Sequence, residues 1–106
     1  MPRYLITGSY TSEGAKGVLD KGGSDRRAAV EKLAESVGGT VETFDFAFGG
    51  DDIVTIIDAP DNESIAAVTM TVGASGMVDI RTTVLLTPEE VDGAAKKSVS
   101  YRSPGQ

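Results

Sequence analysis

Asp51 and Asp52 stand side by side in the run Gly49-Gly50-Asp51-Asp52. Adjacent carboxylates can act as a general base or as oxygen ligands for a hard cation. Two alone are too few for a dedicated calcium site, and aspartate equally serves turn geometry. Tyr4 and Tyr10 fall on one face of a strand pattern, where phenols can orient a substrate oxygen or donate a proton. The competing role is packing, with each hydroxyl reaching a partner at the rim. Arg81, two residues after Asp79, can grip a carboxylate or phosphate with paired N–H groups, or close an ion pair within the sheet. Tyr10, Asp51 and Asp52 are therefore the catalytic candidates, and Tyr4, Tyr10 and Arg81 the ligand-binding ones. Phe44, Phe46 and Phe48 repeat at period two, as core, interface or an aromatic pocket wall does. Gly22-Gly23-Ser24 followed by Arg26 and Arg27 suits an anion at a helix start. Arginines in a first turn oppose the helix dipole and require a nearby negative group, which Asp20 or Asp25 can supply.

What is missing narrows the chemistry. The 106 residues contain no cysteine, which excludes disulfides, thiolate nucleophiles and Cys-ligated metal centres. They contain no histidine, which removes the commonest general base, the commonest transition-metal ligand and any Ser–His–Asp triad. No metal and no redox cofactor is expected. Sixteen acidic against ten basic residues give a net charge of -6, the wrong sign for gripping phosphate backbones. Neither a secretory signal nor a membrane-length apolar run is read, and a cytoplasmic setting is expected.

These residues need elements to hold them. Arg3 to Tyr10 reads as a first strand, and Thr11 to Asp20 as a loose helical turn broken at Lys21-Gly22-Gly23. Ser24 is expected to cap a helix whose Val30, Leu33, Ala34 and Val37 share one face, ending at Gly38-Gly39. Thr40 to Ala59 reads as strand, tight turn, strand, with Gly49-Gly50 at positive φ. Strict alternation sets Val41, Thr43, Asp45 and Ala47 against Glu42, Phe44, Phe46 and Phe48. Ile53 to Ile57 is apolar on both faces, as a central strand is. Asp61 or Asn62 caps a second helix with Ile65, Val68 and Val72 buried, Val78 to Leu86 forms a last strand, and Thr87-Pro88-Glu89-Glu90 opens a short helix. The order is β-α-β-β-α-β, an α+β, ferredoxin-like split βαβ with a four-stranded antiparallel sheet whose two main helices cover one face. Residues 1–96 form the domain and 97–106 a polar tail.

The chain resembles the GYD family, small proteins of the dimeric α/β barrel group. The likeness rests on Pro2, Tyr4, Tyr10-Thr11, Glu13-Gly14, Arg27 and Gly38-Gly39, then Gly49 and Asp52, Ala59-Pro60-Asp61, Gly73, Gly76, Arg81 and Thr82. It covers residues 1 to about 91. One departure stands at the turn, where the family pattern Gly-x-Tyr-Asp meets Gly49-Gly50-Asp51-Asp52 and Asp51 replaces the tyrosine. The resemblance implies a ferredoxin-like protomer pairing into a dimeric α/β barrel, and it brings no activity with it. Three functions follow as expectations: a small-molecule binding or accessory protein first, a cofactor-independent monooxygenase- or isomerase-like enzyme using Tyr and Asp second, and a nucleic-acid-binding domain last. A homodimer through the open sheet face is expected on physical grounds, because apolar residues recur on that face. Neither nucleic acid nor membrane is an expected partner.

Overall fold

A computed structural model describes residues 1–106. Its strands are β1 (Arg3–Tyr10), β2 (Thr40–Phe46), β3 (Ile53–Asp58) and β4 (Val78–Leu85). Its helices are α1 (Ser12–Lys21), α2 (Gly23–Glu35), α3 (Asn62–Ala74) and α4 (Pro88–Ala95). The strands form one antiparallel sheet in the order β2-β3-β1-β4, the ferredoxin-like arrangement expected from the element order. The run with apolar residues on both faces, Ile53 to Ile57, is indeed an inner strand. No helix is long and apolar enough to cross a membrane.

The helices pack on one face. Ile53, Thr55 and Ile57 are buried while Val54, Ile56 and Asp58 between them are not, and β1 repeats the pattern with Tyr4, Ile6 and Gly8. Tyr4, Ile6 and Ile57 meet Val30 and Ala34 of α2, Ala59, and Ile65 of α3 in the main core cluster. Each fully buried isoleucine there contributes about 1.5–3 kcal/mol. The opposite face presents Leu5, Val54, Ile56 and Leu85, all only partly buried.

Several local features follow the residues that announce them. Asp61 caps α3 by accepting from the Ser64 amide at 2.8 Å. Thr87 and Glu90 form a reciprocal capping box at α4. Gly38 turns the chain out of α2 with φ 80.

Four expectations are corrected. The loose turn after Tyr10 is a true helix, α1, capped by Thr11 and tied to the residue just before β4, because the Thr11 amide donates to the Met77 carbonyl at 3.0 Å. The next helix starts at Gly23 behind a Gly22 cap rather than at Ser24, and Gly22, at φ 89, alone joins α1 to α2. The alternation of β2 is broken by a bulge: Val41 pairs with Ile57 and Thr43 with Ile56, leaving Glu42 as the extra residue. Val41 thereby joins Phe44 and Phe46 on the helix side, and Val41 and Phe44 pack against the core. The freed Glu42 carboxylate accepts from the Arg3 Nε and Nη2 at 2.9 and 3.0 Å. Lastly, residues 47–52 make a wider connection, and neither Gly49 nor Gly50 has positive φ. Phe48 lies in that connection, fully exposed, and not on the strand.

Candidate functional site

The sequence candidates separate into three places. Tyr4 is fully buried in the core and its hydroxyl donates to Asn62 Oδ1 at 2.7 Å. Burial, then the Asp61 charge, pushes this phenol above its ordinary range. It is a packing residue with a satisfied hydroxyl, out of reach of a ligand.

Asp51 and Arg81 meet at the uncovered side of the sheet. Arg81 Nη2 donates to both carboxylate oxygens of Asp51, each at 2.7 Å. Asp79, the partner suggested by the strand spacing, makes no ion pair. Ser9, Gly50 and Asp79 complete a shallow depression around the pair. Its acid and base neutralise each other, and with Arg81 74% exposed the pair is largely solvated.

Asp52 and Tyr10 lie on the other side of that connection. Asp52 has little chemistry to spare: its carboxylate accepts from the Tyr10 amide at 2.8 Å, and its own amide donates to the Gly8 carbonyl at 2.7 Å. It thus stitches the start of β3 to the end of β1. Tyr10, last residue of β1, reaches towards α1 and α2.

There a cavity of about 290 Å³ opens, with Tyr10, Glu13, Val18, Lys21, Asp25 and Arg26 in its wall. Gly14 gives the backbone room on this side; a Cβ there would sit 2.0 Å from the Met77 carbonyl oxygen. The Tyr10 hydroxyl oxygen and the Arg26 Nε are both buried, and neither has a hydrogen-bond partner within the chain. Arg26 makes no ion pair with Glu13, Asp20 or Asp25. An arginine early in α2 opposes the helix dipole, and here Asp25 in the same turn and Glu13 across the cavity offset its charge from a distance without closing an ion pair. Burial raises the Tyr10 phenol above its ordinary range; the Arg26 guanidinium, by its charge and its close approach to the phenol oxygen, opposes that rise, and Asp52 adds to it. At neutral pH the phenol is protonated and able to donate.

A family model for the GYD domain matches residues 4–95, from β1 through the last residue of α4. The chain belongs to the GYD family. The GYD domain carries no assigned function, so membership secures the fold and leaves the chemistry to this chain's own residues. No curated protein and no solved structure matches the chain. Within this GYD domain no group of three or more acidic side chains gathers as a metal site would require. Sequence reasoning singled out Tyr10 and Arg26 separately, on different elements. Their meeting depends on how α1 and α2 fold back over the end of β1, which no local pattern encodes. The one available signal was the arginine opposing the helix dipole.

Proposed function

We propose that this protein binds a small organic anion in the cavity between α1, the start of α2 and the end of β1. Arg26 supplies the positive charge and Tyr10 a neutral donor. The observation that carries this reading is the partly buried Arg26 guanidinium, which closes no ion pair and lies against the Tyr10 phenol in the cavity wall, with its Nε and the phenol oxygen short of well-formed hydrogen bonds. A buried polar atom left without a hydrogen bond costs about 1–3 kcal/mol, and a buried unpaired charge more. A ligand carboxylate would satisfy both groups once their side chains turn toward the cavity, since guanidinium and phenol can each donate to an oxygen. Titration calorimetry with propionate should show saturable binding that Arg26→Gln removes and Tyr10→Phe weakens. Binding that is absent, or indifferent to both substitutions, would refute the reading.

The alternative, a cofactor-independent enzyme, needs a free general base. Asp51 is held by Arg81, and one Asp52 carboxylate oxygen accepts the Tyr10 amide of β1, which favours binding over catalysis. A nucleic-acid role stays last, on a net charge of -6.

The same reading takes the molecule as a homodimer closing a barrel through the uncovered sheet face, in a cytoplasmic setting. Leu5, Val54, Ile56 and Leu85 supply the apolar centre of that face, and burying roughly 1,500 Å² would be ordinary for a stable pair. Light scattering at micromolar concentration should give about 22 kDa, twice the 11.0 kDa chain. A monomer at that concentration would refute the pairing without touching the ligand site. Cell fractionation checks the compartment.

A further inference from the structure

Next to the polar cavity, and sharing Tyr10 and Val18 with it, runs an open groove of about 530 Å³. Leu19, Phe46, Ala47 and Phe48 line it further along. Leu19 is 86% exposed and Phe48 wholly so, although both are large apolar side chains that ordinarily gain from burial. The groove has one ionisable carboxylate, Asp52, one of whose two oxygens accepts from the Tyr10 amide. Polarity therefore changes sharply across a single side chain. On one side of Tyr10 stand four charged residues, Glu13, Lys21, Asp25 and Arg26; on the other stands an apolar channel.

We infer that the anion held by Arg26 carries an apolar body, an alkyl or aryl chain lying in the groove between Leu19 and Phe48. This rests on the small-anion reading and specifies its ligand class: an amphipathic monocarboxylate of roughly medium-chain or single-ring size. Two features of the molecule support it. The groove and the cavity adjoin, with Tyr10 and Val18 in the wall of both, so a ligand reaching round the Tyr10 ring would span the two. The basic side chains, Lys21 and Arg26, lie at one end only and close no ion pair, which fixes the orientation, carboxylate inward at Arg26 and hydrocarbon outward along α1. A second protein chain seated in the groove would cover Leu19 and Phe48 equally well, yet it would leave Arg26 unanswered.

The test compares propionate, octanoate, 4-phenylbutyrate and 1-octanol by calorimetry on the full chain. Each methylene buried is worth about 0.8 kcal/mol, so octanoate should bind at least about tenfold tighter than propionate even with partial burial. Phe48→Ser, on a fully exposed side chain that the fold does not need, should weaken octanoate about fivefold or more and leave propionate unchanged. Arg26→Gln should abolish both carboxylates, and 1-octanol should bind far more weakly than octanoate. Octanoate binding no tighter than propionate, or insensitive to Phe48→Ser, would overturn the amphipathic ligand while the small-anion site stands. Failure of both carboxylates to bind would remove the site itself. A change of oligomeric state in Phe48→Ser, with octanoate affinity kept, would assign the groove to a protein partner instead and overturn the inference.

Discussion

The Asp52 carboxylate accepts the Tyr10 amide at 2.8 Å, joining the end of β1 to the connection that enters β3 across 42 positions of sequence. The same aspartate donates its amide to Gly8, so both strand ends are held by one residue. Any group that must sit opposite Tyr10 depends on this clamp.

Asp52→Ala should therefore destabilise the domain by about 1–3 kcal/mol, because it strands a partly buried amide. Asp51→Asn, which loosens only the exposed pair with Arg81, should cost less than about 1 kcal/mol. Urea denaturation of both variants provides the measurement, and equal losses would contradict the clamp.

Glycines on the two sides of the sheet should respond oppositely. Gly14→Ala forces a Cβ onto the Met77 carbonyl, so α1 must shift, at a cost of about 1–3 kcal/mol. Gly50→Val meets open space at ordinary φ and should stay within about 0.5 kcal/mol of the parent. Melting curves decide between them, and a large loss at Gly50 would mean that its backbone is strained after all.

Alkaline pH should unfold the protein through its tyrosines. Tyr4 and Tyr10 both have folded-state values raised above the ordinary 10, chiefly by burial. Above that pH the unfolded chain loses phenolic protons that the folded chain retains, so stability falls as pH rises. The contribution is fully present below pH 10 and disappears as pH climbs through the folded values. Tyr10→Phe should flatten part of this decline in a stability-against-pH series; an unchanged slope would show that Tyr10 ionises as freely folded as unfolded.

Tyr4→Phe should cost about 1 kcal/mol through the lost bond to Asn62 and leave propionate affinity unchanged. Altered affinity would bring Tyr4 back as a ligand contact.

What could be read from the sequence was local. Thr87 and Glu90 lie three positions apart and cap each other within one turn, so their roles are visible in the chain itself. Asp61 and Gly38 are similar cases. The apolar run Ile53 to Ile57 pointed to an inner strand, and β3 does lie between β2 and β1, with Ile53, Thr55 and Ile57 buried under the helices. Glu42 is different. Its displacement from the ladder depends on the register with β3 and on Arg3, thirty-nine positions away. Gly49-Gly50 looked like a positive-φ turn, but the connection is long enough to turn without one. Of the site, Tyr10 was legible as a phenol at a strand end. Its neighbour Arg26 was visible only as an electrostatic misfit, and the groove not at all, because Leu19 and Phe48 are brought together by the fold.

Gly22 is the single residue between α1 and α2, and α1 buries nothing completely except Gly14. With so little apolar surface holding it, α1 should open to solvent more often than α2 or α3. Its amides should accordingly exchange with deuterium soonest among the helices covering the sheet. An occupant touching Val18 and Lys21 would then slow that exchange specifically, so the solvent clock of α1 becomes a direct readout of occupancy that requires no knowledge of the ligand. Exchange in α1 as slow as in α3 would show that the helix is anchored more firmly than its burial allows.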